Sequence, residues 1–129
     1  MILGCQARFI PAIQAGTKVH SIRKGNRWRV GMAIQFYENV RQPGMNKFRE
    51  DGVAHQVQSI CIMVPPTREK ARPEPPGIYV EGRLLTPLES QELSVFDGFA
   101  DFDQLLTFFR THHSLPFSGQ LIGWTSRRY

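Results

Sequence analysis

The sequence predicts an α+β fold, or a small barrel with peripheral helices, on three observations. Period-two alternation of apolar and polar residues recurs in several separate stretches. Helical spacing is confined to one short segment near the start and two consecutive segments near the end. Strands therefore outnumber helices and do not alternate with them as a doubly wound parallel sheet requires. A chain of 129 residues fits one domain, residues 1–129, and can bury a core without metals or disulfides.

Residues 9–16 read as a short helix. Pro11 suits its first turn and Gly16 the left-handed position just past its end. Phe9, Ile10 and Ile13 form its apolar face. Ser21-Ile22-Arg23 begins a strand, residues 28–31 make a turn, and residues 33–40 form a stronger strand. There Ile34, Phe36 and Glu38 share one face while Gln35 and Tyr37 share the other. Gln42-Pro43-Gly44 is a turn, and residues 46–50 are strand or loop. Residues 53–64 form a long strand with Val57, Ser59 and Cys61 opposite Gln58, Ile60 and Ile62. Its apolar end is expected at the centre of a sheet.

Residues 65–77 break the pattern with five prolines and the charges Arg68, Glu69, Lys70, Arg72 and Glu74. Proline removes ladder donors and the segment has almost no apolar content, so it is expected to be a mobile surface excursion within the domain. Residues 78–85 return to strand. Thr86 caps the next helix, Pro87 fits its first position, and Glu89 completes a capping box, with Leu93 and Phe96 as core contacts. After Asp97-Gly98-Phe99, Asp101 caps a second helix with Gln104 at the box position. Phe102, Leu105, Leu106 and Phe109 form its apolar stripe. Residues 112–116 end it, Leu121-Ile122-Gly123-Trp124 is the last strand, and the basic tail 125–129 is expected to be loose.

A hydrophobic fraction of 41% with 21% charged residues is that of an ordinary soluble globular domain. The net charge of +5 suits a polyanionic partner such as RNA or DNA, and a merely solvated basic surface fits it as well. Two cysteines, Cys5 and Cys61, are too few for a disulfide framework and fit a reducing cytoplasm. Cys61 lies in an apolar run where a buried free thiol is expected. No apolar run approaches a membrane span, and residues 2–5 lack the leader of a lipoprotein signal, so no membrane partner is expected. His112-His113 and the cysteines lack metal-ligand spacing, and no phosphate-binding glycine loop or dinucleotide fingerprint is present, so no metal or cofactor is expected.

The chemistry concentrates in Gly16-Thr17-Lys18-Val19-His20-Ser21-Ile22-Arg23 and Asp97-Gly98-Phe99. In a regular strand Lys18 and Ser21 would point to opposite faces, so they converge only if the chain bends after Gly16. If they do, a desolvated Lys18 amine can act as base for a Ser21 nucleophile. Asp97 can then orient the amine or carry a proton to the leaving group. Arg23, on the Ser21 face, can grip a phosphate or carboxylate, or pair with an acid such as Asp97. The bland alternatives are a solvated Lys18, a Ser21 hydroxyl bonded to backbone, and an Asp97 that bonds turn amides. His20 is expected on the opposite side, at the surface or in packing, and Phe99 in the core. Lys24, Arg27 and Arg29 surround Trp28 in the densest positive charge of the chain, and Trp28 and Tyr37 are candidate stacking platforms for single-stranded nucleic acid.

Taken together, Gly16-x-Lys18-x-x-Ser21-Ile22-Arg23, the Val30-Gly31 turn, Asp97-Gly98-Phe99 before a helix and the closing Leu121-Ile122-x-Trp124 resemble the ASCH domain of the PUA-like superfamily. The resemblance covers residues 9–124 and is to the small single-domain versions of bacteria and bacteriophages. It implies a barrel of five or six strands with helices on its rim, a cleft beside the first motif, and binding of RNA or modified bases. One branch resembles amidohydrolases that deacetylate acetylated cytidine nucleosides through a lysine, a threonine and a glutamate. Lys18 matches the lysine, Ser21 stands at the threonine position, and Asp97 matches the acid by its place before the second helix. Serine keeps a nucleophile, whereas aspartate shortens the reach of the acid. Three functions follow as expectations. The first is a module binding RNA or a modified nucleotide in a basic cleft, with residues 23–29 on the phosphates. The second is an amidohydrolase with Ser21, Lys18 and Asp97 as nucleophile, base and partner. The third is a ribonuclease, disfavoured by the lack of a well-placed histidine pair.

Overall fold

The computed structural model describes residues 1–64 and 76–129, so the proline-rich excursion expected at 65–77 lies outside the described residues except for Pro76 and Gly77. The fold is α+β. In chain order the elements are β1 (Ile2–Gly4), a single 3₁₀ turn (Ala7–Phe9), α1 (Ile10–Ala15), β2 (His20–Lys24), β3 (Ala33–Glu38), β4 (Asn46–Lys47) and β5 (Gly52–Val53). There follow β6 (Gln56–Met63), β7 (Gly77–Val80), β8 (Arg83–Leu84), α2 (Pro87–Phe96), α3 (Phe102–His112) and β9 (Phe117–Gly123).

Among the described residues the strands form two sheets. In the smaller, β3 pairs parallel with β1 and antiparallel with β4 and β5. The larger is antiparallel in the order β2-β9-β6-β7-β8. No closed barrel is found: β2 and β8 are the two edges of the larger sheet and do not pair. A two-residue β8 offers too few ladder bonds to carry the sheet round to β2.

Local signals account for most elements. Pro11 lies in the first turn of α1, and Gly16 caps its end at φ 81°, a conformation that costs glycine nothing. Strand β6 is central, between β9 and β7, and buries Gln58, Ile60 and Ile62 as alternation predicts. Cys61, expected to be buried, is half-buried because it lies on the opposite face of β6. Leu105 and Phe109 of the α3 stripe are buried, with Phe102 and Leu106 partly so. Asp101 Oδ1 accepts the Gln104 backbone N–H at 2.8 Å, as its capping position requires.

Three expectations are corrected. Residues 78–85 are not one strand but the β7–β8 hairpin, because Glu81 and Gly82 both have positive φ (50° and 78°) and close a two-residue turn. The last strand starts at Phe117 rather than Leu121, because Gly119 has no side chain to keep β9 from β2. The tail is not loose. Tyr129 exchanges two hydrogen bonds with the buried Gln58 side chain, at 2.8 and 3.1 Å, and Arg128 reaches Gln56 at 3.0 Å. Arg127 stacks its guanidinium 3.7 Å from the Phe96 ring centroid.

The cap of α2 yields a pH dependence. Glu89 accepts the Thr86 N–H at 3.0 Å and both Nη groups of Arg83 at 3.0 and 2.9 Å. The Arg83 hydrogen bonds, then the backbone bond, hold its carboxyl down at about 2. A depressed carboxylate stabilises the fold above its unfolded pKa and loses that contribution as pH falls through the folded one. The thermal midpoints of the wild type and Glu89→Gln are expected to differ at pH 6 and to converge as pH falls from about 4.5 towards about 2. A gap that stays constant over that range would remove the linkage.

Candidate functional site

The loop from α1 to β2 supplies the bend that convergence requires. With Gly16 in the left-handed region, the Thr17 and Lys18 backbone N–H groups both donate to Ala12 O at 3.0 Å. Lys18 therefore precedes the strand instead of belonging to it. Val19 then fixes the entry to β2, donating to Phe96 O at 2.9 Å and accepting from Trp124 N at 3.2 Å. The first of these bonds ties the start of β2 to the C-terminal end of α2, where Asp97 follows. Gly98 adopts φ 95°, and a Cβ there would lie 3.0 Å from the Phe9 ring and 3.1 Å from Lys18 Cδ. Glycine thus clears the path of the lysine stem.

Lys18 Nζ donates to the Asp97 backbone carbonyl at 2.5 Å, lies 3.4 Å from Asp97 Oδ1, and sits 4.9 Å from the Phe9 ring centroid. The same Oδ1 is 2.7 Å from His20 Nδ1, and His20 Nε2 is 2.8 Å from the Tyr129 hydroxyl. A carboxylate only accepts, so Nδ1 carries the proton that faces Asp97, and in the neutral imidazole Nε2 then accepts from the phenol. Burial pushes the Tyr129 phenol up, which keeps its proton in place. Lys18, His20 and Asp97 are exposed by only 3, 1 and 4%. Burial pushes the Lys18 amine below the ordinary lysine value, against the pull of Asp97.

In front of this network lies a cleft of about 270 Å³ whose lining includes Lys18, Ser21, Arg23, Lys24 and Asp97, with Phe9, Phe99 and Phe108 as apolar wall. The catalytic candidates Lys18, Ser21 and Asp97 therefore meet at one cavity, with Arg23 beside them. The buried Ser21 hydroxyl accepts the Arg23 Nε–H at 3.1 Å, leaving its own proton free to donate. Arg23 forms no ion pair with Asp97, whose carboxylate is taken by Lys18 and His20 rather than by turn amides. His113 also lines the cleft, and burial with the nearby His112, Lys24 and Arg23 pushes its imidazole down.

Other sequence candidates lie elsewhere. Arg27 and Arg29 are exposed on the loop after β2, and Arg29 is folded back on the Trp28 carbonyl at 2.8 Å. Trp28 is no stacking platform. It is 4% exposed, and its backbone is held at both ends by the Gln120 side chain, at 2.9 and 3.0 Å. Tyr37 is half-buried on β3 in the smaller sheet, opposite Lys47, and does not line the cleft. Phe99 is buried as expected, yet it walls the cleft, 5.4 Å edge-on from Phe9.

Sequence reasoning missed His20 and Tyr129. A signal for the first existed: Lys18 and His20 are two residues apart, the spacing that brings extended side chains to one face and here to one carboxylate. Tyr129 carried no local signal. Among the described residues no group of three or more His, Cys, Asp or Glu is arranged to hold a metal, and no helix is long and apolar enough to cross a membrane. Comparison of the chain with protein-family models, with curated proteins and with solved structures finds no match in any of the three.

Proposed function

We propose that this chain is an ASCH-like, PUA-like module whose basic cleft binds a modified nucleotide, free or exposed in RNA. The observation that carries this reading is the meeting of Lys18, Ser21, Arg23 and Asp97 in one cavity walled by Phe9, Phe99 and Phe108. Aromatic side chains beside convergent polar groups can bury a ring and fix its orientation, as a small-ligand site must. At about 270 Å³ the cleft is slightly smaller than the usual range for such sites, which suits one nucleoside unit and not a length of strand. On this reading the open larger sheet and the β3-centred sheet stand for an unclosed PUA-like barrel. The exposed Lys24 and Arg27 remain available to backbone phosphates, and Arg29 would have to leave the Trp28 carbonyl to join them, without the stacking expected of Trp28. The two free cysteines fit a cytoplasmic setting. Affinity for a short cytidine-containing RNA is expected to fall steadily as salt rises, measured by fluorescence anisotropy. Salt-independent binding would count against the module.

A second reading, an amidohydrolase of acetylated cytidine-type nucleosides, is favoured by one specific observation. Lys18 is a buried amine with a lowered pKa beside Asp97, in the cleft that also holds Ser21. Neutral Lys18 would take the Ser21 proton as Oγ attacks the acetyl carbonyl, forming the C–O bond. The C–N bond would then break, with the proton passing from Lys18 to the departing exocyclic amine, and water would release acetate from the serine ester. A chromatographic assay with acetylcytidine tests this. Ser21→Ala and Lys18→Ala are each expected to lower turnover by about 100-fold or more while circular dichroism stays native. Unchanged turnover in Ser21→Ala would remove Ser21 as nucleophile, and no turnover in the wild type would leave the binding module. The ribonuclease reading gains nothing, because only His113 of the histidine pair lines the cleft.

A further inference from the structure

We propose that the ligand of this cleft is a nucleoside monophosphate, its terminal phosphate held by Arg23 and Lys24 and its base against the phenylalanine wall. The proposal rests on the nucleotide-binding reading above and narrows it to a phosphate monoester.

The charges in the cleft do not balance. Lys18, Arg23 and Lys24 face a single carboxylate, Asp97, and that carboxylate is already shared between Lys18 and His20. Among the described residues the remaining ion pairs are Lys47–Asp51 and Arg83–Glu89, so Arg23 and Lys24 have none. Arg23 also interacts with Cys5, which lines the same cleft; burial pushes that thiol up and keeps it neutral, so it does not offset the guanidinium. Arg23 is only partly exposed. A part-buried guanidinium without a counter-charge is costly, and an anionic ligand offsets that cost.

The geometry suits a phosphate. The Arg23 Nε bond to Ser21 Oγ fixes the guanidinium plane and leaves the Nη groups with no carboxylate partner. A fork fixed in this way matches two oxygens of one phosphate. The Ser21 hydroxyl retains a proton to donate to a third, and Lys24 adds a point charge at the exposed end of β2.

Calorimetry on the full chain at fixed low salt tests the assignment with the four ribonucleosides, their 5′-monophosphates, inorganic phosphate and a cytidylyl dinucleotide without terminal phosphate. One monophosphate is expected to bind about 10-fold or more tighter than its own nucleoside, with inorganic phosphate competing. Arg23→Ala, checked for fold by circular dichroism, is expected to lower monophosphate affinity by about 10-fold or more and nucleoside affinity by clearly less, and Arg23→Lys to restore part of the preference. Equal binding of nucleoside and monophosphate would overturn the proposal and leave the nucleotide-module reading standing. Equal loss of both in Arg23→Ala, or a dinucleotide that binds as tightly as the monophosphate, would also overturn it. Binding of phosphate with no nucleoside preference would support the anion grip and overturn the nucleoside reading. Binding of none of the probes, inorganic phosphate included, would overturn the phosphate grip and with it the proposal.

Discussion

Replacing Asp97 by alanine is expected to lower unfolding free energy by about 3–5 kcal/mol, the range found when one partner of a buried ion pair is removed. Two buried groups lose their acceptor at once: Lys18 Nζ at 3.4 Å and His20 Nδ1 at 2.7 Å from the same oxygen. Lys18 keeps its bond to the residue 97 carbonyl, but the nearby negative charge that raises its pKa is gone, so the amine falls further below its ordinary value. A lysine whose folded pKa lies below its unfolded one penalises the fold where the unfolded chain is protonated. Stability then rises with pH through that window. Asp97→Ala should therefore regain part of its loss between pH 7 and about 10, more than the wild type gains, by urea denaturation across that range. Asp97→Asn keeps an acceptor and should cost less. An alanine variant within 1 kcal/mol of wild type, with no steeper pH dependence, would show that the carboxylate does not hold this network together.

Gly119→Ala is expected to cost about 3 kcal/mol or more, from a different cause. Gly119 lies in β9, between β2 and β6, opposite Lys24 on one side and Ile60 on the other. A Cβ there would be 2.2 Å from the Arg23 carbonyl oxygen and 2.9 Å from the Phe117 ring. The first contact is backbone and cannot rotate aside, so β2 and β9 must part. That moves Arg23, and nucleotide affinity should fall along with stability. Gly123→Ala, in the same strand, is the control. Its Cβ would meet nothing closer than Gln56 Cβ at 3.4 Å, an ordinary contact, and it should stay within about 1 kcal/mol of wild type. Equal unfolding midpoints for the two variants would sink the close-approach explanation.

The elements legible in the sequence share one property: their cause lies within a few residues. Pro11 with Gly16 marks α1, Thr86-Pro87 with Glu89 marks the start of α2, Asp101 with Gln104 marks the start of α3, and alternation marks the buried face of β6. Where local cues were weak or shared, reading failed. Glu81 in a positive-φ turn looks like a strand residue, and Ser118-Gly119 looks like a loop until two neighbouring strands pair with it. Trp28 among arginines looks like a nucleic-acid platform until Gln120, far along the chain, clamps its backbone.

The candidate site divides in the same way. The sequence by itself determined which groups were available, Lys18, Ser21, Arg23 and Asp97, because their chemistry belongs to the side chain wherever it sits. It also determined that a bend after Gly16 was needed for them to meet, because strand parity is a local rule. Tertiary structure alone decided that Lys18 is desolvated, that Asp97 is shared with His20 across 77 positions of chain, and that Tyr129 closes the relay 109 positions away. Burial and long-range hydrogen bonds depend on what packs against a residue, and packing partners so distant leave no trace in the spacing of their own neighbours.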